Sequence, residues 1–297
     1  MQIEHFNGVL KVKNNRTKAQ NKQQGFTLIE LITVIIVLGV VSVGVSGFIR
    51  TGMEIYNDTT ERDQLLGDSR FLMERLTREL RLAIPNSVRV SANNSQTIQC
   101  IEFVPSEWVS YYTNLSVLPD TSNTANIVEF ANNSNGFVLT PGDFAVVYPT
   151  NNQDVYDLSQ GKRKVISSCS DNGVDTNCNT ADDPGGIAQL TVSSAFADHS
   201  PASRLYFARK TVSYCANESN RSIYRNEGNI TLNPTIFNSG ILMAENINND
   251  FGNTNEAIFR VYDATLTQNS LVHILLAFER NEEIINYSSE VHVPNVP

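Results

Sequence analysis

The sequence predicts an α+β protein: a long N-terminal α-helix, half transmembrane and half amphipathic, packed on an antiparallel β-sheet domain. Three observations predict it. Phe26 to Ile49 is almost wholly apolar. Apolar residues then recur near a 3.6 period at Ile55, Leu65, Leu66, Leu72, Met73, Leu76, Leu80 and Ile84. Beyond Pro85 the pattern becomes short runs rich in Val, Ile, Phe and Tyr, separated by Asn, Gly and Pro.

Charge placement sets the topology. Residues 1–25 hold Lys11, Lys13, Arg16, Lys18 and Lys22 against Glu4 alone, so the rest is more acidic than the net −9 of the whole chain. A basic segment ahead of an apolar run keeps the N-terminus cytoplasmic and sends the residues beyond Arg50 outward. The acidic body argues against nucleic acid as a partner, because phosphate binding needs clustered Lys and Arg.

The 24 residues from Phe26 to Ile49 give roughly 36 Å of helix, enough for a hydrocarbon core of about 30 Å. A secretory signal peptide fits poorly, since its apolar core is shorter and its small-residue cleavage site comes after that core. Here the candidate junction, Gln24-Gly25-Phe26, precedes the apolar run. Glu30 is the exception within the span, and an ionisable group in hydrocarbon is a functional hypothesis by default. Snorkelling into the headgroups is the plain reading of it. The alternative is a partner: cutting after Gly25 would free an α-amine on Phe26, one helical turn from the Glu30 carboxylate, and the two charges would relieve each other's desolvation.

The string Gly25-Phe26-Thr27-Leu28-Ile29-Glu30, with a basic leader before it and an apolar helix after it, resembles the prepilin cleavage and methylation segment of type IV pilins and type II secretion pseudopilins. The resemblance implies that a prepilin peptidase cuts between Gly25 and Phe26 and methylates the new amine. It also implies that Glu30 neutralises the amine of an adjacent subunit during assembly. The implied organisation is a cleaved cytoplasmic leader (1–25), a transmembrane half-helix (26–49), a periplasmic amphipathic half (50–85) and a β-rich globular domain (86–297). The implied location is the inner membrane and then the pilus. The implied partners are the peptidase, other major and minor pilins, and the inner-membrane assembly machinery.

The amphipathic half carries opposite charges four apart at Arg70–Glu74, Glu74–Arg78 and Arg75–Glu79, which support a helix modestly. Pro85 is the expected stop, giving a helix over 26–84 about 90 Å long. Gly39, Gly44 and Gly47 are weak helix points. An ordinary anchor with a short stalk is the plainer alternative.

Expected strands are Ser87–Ser91, Thr97–Val104, Ile127–Phe130, Asp143–Tyr148, Ile187–Ser193, Arg204–Tyr214, Ser222–Asn226, Glu256–Asp263, Leu271–Arg280 and Ile284–Val293. Val272–Phe278 is the most apolar and is placed centrally. The sheet is expected to wrap the outer half of the helix and bury Leu65, Leu72, Leu76 and Leu80. Arg75–Arg81 with Pro85–Val88 is similar to PilW-type minor pilins and J-type pseudopilins. Tyr206–Cys215, Ser222–Arg225 and Glu290–Pro297 are similar to minor pilins of the mannose-sensitive haemagglutinin (MSHA) type.

All four cysteines come after the span and so face an oxidising compartment. Two disulfides have three possible pairings. Cys169–Cys178, closing a short loop, and Cys100–Cys215, joining two strands, are favoured. Zinc is disfavoured, with no C-x-x-C or paired histidine. Residues 170–183 are dense in oxygen ligands, with Asp171, Asp175, Asn177, Asn179 and Asp182 as calcium candidates, but the spacing is not that of an EF-hand. A solvated loop is the favoured reading, and no cofactor is otherwise expected. No metalloprotease, serine-hydrolase, phosphate-loop or dinucleotide motif occurs, and no catalytic residue is assigned. His273 reads as a sheet residue. Trp108-Val-Ser-Tyr-Tyr112 is an aromatic stretch that a sugar could use, though core or sheet surface is the commoner fate of such residues.

Overall fold

A computed structural model describes residues 25–129, 138–171, 178, 186–253, 256–262, 269–281 and 283–294. The chain forms two units, Met1–Asn57 and Asp58–Pro297. Helix α1, Leu28–Arg81, begins in the first and ends in the second.

In the first unit every described residue is exposed and residues 28–57 are continuous helix, with Gly39, Gly44 and Gly47 included. A window of mean hydropathy 2.7 within α1 has none of its residues buried, so the helix is long and apolar enough to cross a membrane.

In the second unit α1 buries Leu65, Ser69, Leu72, Met73, Leu76 and Leu80. The steps of three and four between them place one stripe on one side of the helix. That stripe meets two sheets. Strands β1 (Arg89–Ala92), β2 (Ile98–Phe103), β9 (Thr211–Asn217), β10 (Ser222–Gly228) and β11 (Ile241–Glu245) form a five-stranded sheet in the order β1-β2-β9-β10-β11. Strands β12 (Phe259–Tyr262), β13 (Ser270–Arg280) and β14 (Glu283–Val293) form a second, with β13 in the middle. All their pairings are antiparallel. Val272, Ile274, Leu276 and Phe278 alternate inward from β13 and share one core with the helix leucines and with Val212 and Tyr214 of β9. His273 faces the other side, where its Nε2 lies 3.0 Å from the Ser288 hydroxyl.

The sequence predicts one sheet; the structure adds a closed six-stranded barrel. Strands β3 (Trp108–Leu115), β4 (Thr124–Val128), β5 (Phe144–Val146), β6 (Arg163–Asp171), β7 (Ile187–Val192) and β8 (Arg204–Ala208) close in the order β3-β4-β7-β6-β5-β8. Ile127, Ala145, Ile166, Leu190, Leu205 and Phe207 fill it. Closure leaves no free edge. The expected run Arg204–Tyr214 is two strands, because Arg209 and Lys210 mark where the chain leaves the barrel as β8 and re-enters the sheet as β9. Strands β3, β6 and β11 carry no expectation from the sequence. The first reads there only as an aromatic stretch, and the second starts at Arg163 within the charged run Lys162-Arg163-Lys164, each residue of which is buried.

A third cluster joins barrel to sheet through Ile84, Val104, Val146, Val155, Tyr156 and Tyr206. Tyr156 lies in the short helix α2, Asn152–Tyr156, and its hydroxyl donates to the Ser87 carbonyl at 2.8 Å. The Arg89 guanidinium sits 3.5 Å from the centroid of that ring and pairs with Glu102 at 2.6 Å. Burial pushes Glu102 up from the ordinary carboxylate range, and Arg89 only partly offsets it. Arg163 donates to the carbonyls of Ile230 (3.2 Å) and Tyr156 (3.1 Å), and desolvation lowers its pKa to about 10.

Helix α1 stops at Arg81, short of the expected residue 84. The Ile84 N–H donates to the Val104 carbonyl at 2.9 Å, and the Ser106 N–H donates to the Leu82 carbonyl at 2.8 Å. The strand connection thus captures the last expected helical residues before Pro85 has to end the helix. Of the three expected helix pairs only Arg75–Glu79 forms, at 3.0 Å. Among the described residues Arg70, Glu74 and Arg78 form no ion pair. Glu79 keeps Arg75 and also reaches the sheet at Tyr214 and Arg225.

Candidate functional site

Gly25, Phe26 and Thr27 precede the helix, and Leu28 begins it. Thr27 acts as the cap. Its carbonyl accepts from Glu30 N at 3.1 Å and Leu31 N at 3.2 Å, and its hydroxyl oxygen accepts from Glu30 N at 3.3 Å. A β-hydroxyl at this position satisfies helix N–H groups that lack an intrahelical acceptor. Glu30 therefore stands in the first turn, where the helix dipole favours a negative charge.

Phe26 is 83% exposed. A Cβ added at Gly25 would meet nothing within 4 Å, so nothing in the fold of this chain demands glycine there. The segment thus offers an accessible Gly25-Phe26 peptide bond, a capped helix start and one carboxylate on an otherwise apolar surface. Such a surface in a monomer marks a membrane or partner interface.

Helix and sheet are tied in the second unit by a polar cluster that sequence reasoning missed. Glu79 Oε2 accepts from the Tyr214 hydroxyl at 2.9 Å and from Arg225 Nε at 3.1 Å, while Oε1 accepts from Arg75 Nε at 3.0 Å. Arg225 also holds Glu227 at 2.9 Å. Burial, then the adjacent Glu79, drives the Tyr214 phenol well above its ordinary pKa. Desolvation works against the Arg225 charge, and its two carboxylates more than offset that. Nearer the start of the unit Glu61 bonds Asn281 and lies 3.4 Å from Arg280, and Arg62 lies 3.3 Å from Glu283. No local pattern signals these contacts. The only sequence hint is an acid, Glu79, at the border of an apolar stripe.

Cys100 and Cys215 are bonded across directly paired positions of β2 and β9, and Cys169 is bonded to Cys178. Of the calcium candidates, Asp171 is a buried residue at the end of β6; Asp175, Asn177, Asn179 and Asp182 lie outside the described residues. Among the described residues no group of three or more His, Cys, Asp or Glu is placed to hold a metal ion. The aromatic stretch Trp108–Tyr112 belongs to β3. Tyr112 is buried and its hydroxyl donates to the Ser200 carbonyl at 3.0 Å, so only Tyr111 presents an open ring, with the Arg204 guanidinium 5.9 Å from its centroid.

Residues 20–46 match the family model of the prokaryotic N-terminal methylation motif. No curated protein and no solved structure matches the chain. The matched segment contains Gly25, Phe26 and Glu30 and most of the exposed apolar helix, and the body behind it is a β-rich domain with two disulfides. The chain therefore carries a prepilin-type N-terminal methylation motif, which supports a type IV pilin-like protein, on a membrane-capable helix ahead of a β-rich domain.

Proposed function

We propose that the chain is a minor pilin subunit of an MSHA-type type IV pilus, resembling minor pilin O of that system, and that it is assembled into the filament or primes its assembly near the tip. Prepilin peptidase removes residues 1–25 and methylates the Phe26 amine. The span holds the mature subunit in the inner membrane with its body in the periplasm. During assembly the Glu30 carboxylate meets the Phe26 amine of a neighbour.

The observation that carries this reading is the coincidence of a capped helix start, one first-turn carboxylate and an unbroken exposed apolar helix within residues 20–46. A carboxylate moved into lipid costs a few kcal/mol, and an ammonium beside it removes much of that cost. The Tyr206–Cys215, Ser222–Arg225 and Glu290–Pro297 segments support the MSHA assignment.

The test is mass mapping of the N-terminus of the membrane-extracted protein. The expected terminus is N-methylated Phe26. A chain that retains residues 1–25, or one that begins past the apolar run, would overturn the proposal. Glu30→Ala is expected to be inserted and processed yet to fail in assembly, read as loss of the subunit from sheared filaments; unchanged incorporation would refute the docking role of Glu30.

A further inference from the structure

Where the barrel meets the five-stranded sheet, one buried carboxylate is only half answered. Glu102 lies on β2 with its side chain 1% exposed. Arg89 of β1 is its direct partner in the ladder. The guanidinium reaches it with Nε at 2.7 Å and a terminal nitrogen at 2.6 Å, and both fall on the same oxygen, Oε2. Arg89 is also engaged elsewhere. It donates to the Leu232 carbonyl at 2.7 Å and the Thr231 carbonyl at 3.0 Å, and it lies 3.5 Å from the centroid of the Tyr156 ring. Oε1 is sealed from solvent and has no hydrogen-bond partner among the described residues.

An ionised carboxylate accepts at about four lone-pair sites. A desolvated oxygen with no donor costs more on a charged group than on a neutral one. A proton on Oε1 removes the charge and turns the unmet acceptor into a donor. The buried hydroxyls of Thr211 and Ser213 on β9 stand beside the carboxyl to receive it, Ser213 being the other ladder partner of Glu102. The remaining titratable and charged groups packed here are Tyr156 of α2 and Arg163 of β6. Burial drives the Tyr156 phenol well up, so it stays neutral, and Arg163 is held by the Ile230 and Tyr156 carbonyls.

We propose that Glu102 is a proton-operated switch at this seam: in a mildly acidic medium it takes a proton on Oε1 and the joint between barrel and sheet tightens, and in a neutral medium it is charged and the joint is weaker. The joint is the contact of β1, β2, α2 and the segment Ile230–Leu232, which Arg89 and Arg163 hold by three consecutive carbonyls. Burial raises the Glu102 carboxyl above its ordinary range, and Arg89 and the two hydroxyls only partly offset that. Stability from a raised carboxyl is fully present below the unfolded value of about 4.3 and is lost as pH rises through the folded value. An ordinary paired carboxylate has the opposite sign. The switch lies within the second unit and does not depend on the filament reading.

The test is denaturant titration of the detergent-solubilised full chain from about pH 7.5 to about pH 4.5, wild type against Glu102→Gln. Glutamine keeps the shape of the protonated group and has no proton to lose. Every other group titrates in both chains, so the ratio of their folding constants isolates position 102. That ratio, wild type over variant, is expected to rise about twofold or more on acidification. A flat ratio, or one that falls, would overturn the proposal. Where Glu102→Gln does not fold, infrared spectra of the wild-type chain carrying ¹³C-labelled glutamate replace the comparison. One protonated, buried carboxyl band is expected to appear at a pH above the ordinary glutamate value of about 4.3, and its absence would overturn the proposal equally.

Discussion

Replacing Glu79 with alanine tests how the helix is held to the sheet. The Glu79 side chain is 18% exposed and accepts from Arg75, Tyr214 and Arg225, the last with an 8% exposed side chain. Breaking a buried pair by removing one partner costs about 3–5 kcal/mol, because the other charge is left without compensation. Two features lower that range here. Arg225 keeps Glu227, and the 27% exposed Arg75 can turn to water. The Tyr214 hydroxyl, on a fully buried residue, loses this acceptor altogether, which adds about 1–3 kcal/mol of unmet desolvation at most. A net loss of about 3 kcal/mol results from setting these terms against one another. For a unit of this size each kcal/mol moves the midpoint by about 2–4 °C, so Tm should fall by about 6–12 °C. The assay is thermal unfolding of the detergent-solubilised full chain, monitored by circular dichroism. Tyr214→Phe, alone and combined with Glu79→Ala, completes a double-mutant cycle with an expected coupling of at least about 0.5 kcal/mol. A loss below about 1 kcal/mol, or strict additivity, would refute the view that Glu79 anchors helix to sheet.

Three further outcomes are expected. Asp143 accepts from Arg209 at 2.7 and 2.8 Å and from Thr140 N–H and hydroxyl at 2.8 and 3.1 Å; burial raises its pKa, but these donors outweigh burial and hold it below the ordinary value. Its stabilising contribution is therefore present above the unfolded pKa of about 3.9 and fades as pH falls through the lower folded value, so Asp143→Asn should destabilise at pH 7 and the gap to wild type should shrink as pH falls through that folded value in denaturant titrations. Replacing Cys100 and Cys215 by Ser should cost about 4–5 kcal/mol for their 115-residue separation, against about 2–3 kcal/mol for Cys169 and Cys178 at 9, measured by the same titration under oxidising conditions. Gly25→Leu should leave an unprocessed chain on gels although it strains nothing in the fold.

The sequence discloses those features that depend on neighbours along the chain. The helix stripe through Leu65, Leu72, Leu76 and Leu80 and the alternation along Val272–Phe278 are periodic, and burial tracks the period. The Gly25-Phe26 junction and Glu30 are legible because the chemistry there is local. The barrel is not. Its strands β3 and β6 interleave apolar residues with Ser, Thr, Lys and Arg, and those polar groups find partners that the local pattern does not announce, as Arg163 does at the Ile230 carbonyl, 67 residues further on. The Glu79 cluster is hidden for the same reason, its partners lying 135 and 146 residues further on. The early end of the helix comes from backbone bonds to Val104 and Ser106 that no propensity encodes.

All six barrel strands lie between Cys100 and Cys215, which are bonded across two neighbouring strands of the five-stranded sheet. A pull entering through the helix and leaving anywhere after β9 therefore passes through the sulfur bridge and bypasses the barrel. While the bridge is closed, about 400 Å of chain, 115 residues at roughly 3.5 Å each, is withheld from extension. A stretched subunit would surrender its helix and sheet contacts while the inserted module kept its shape.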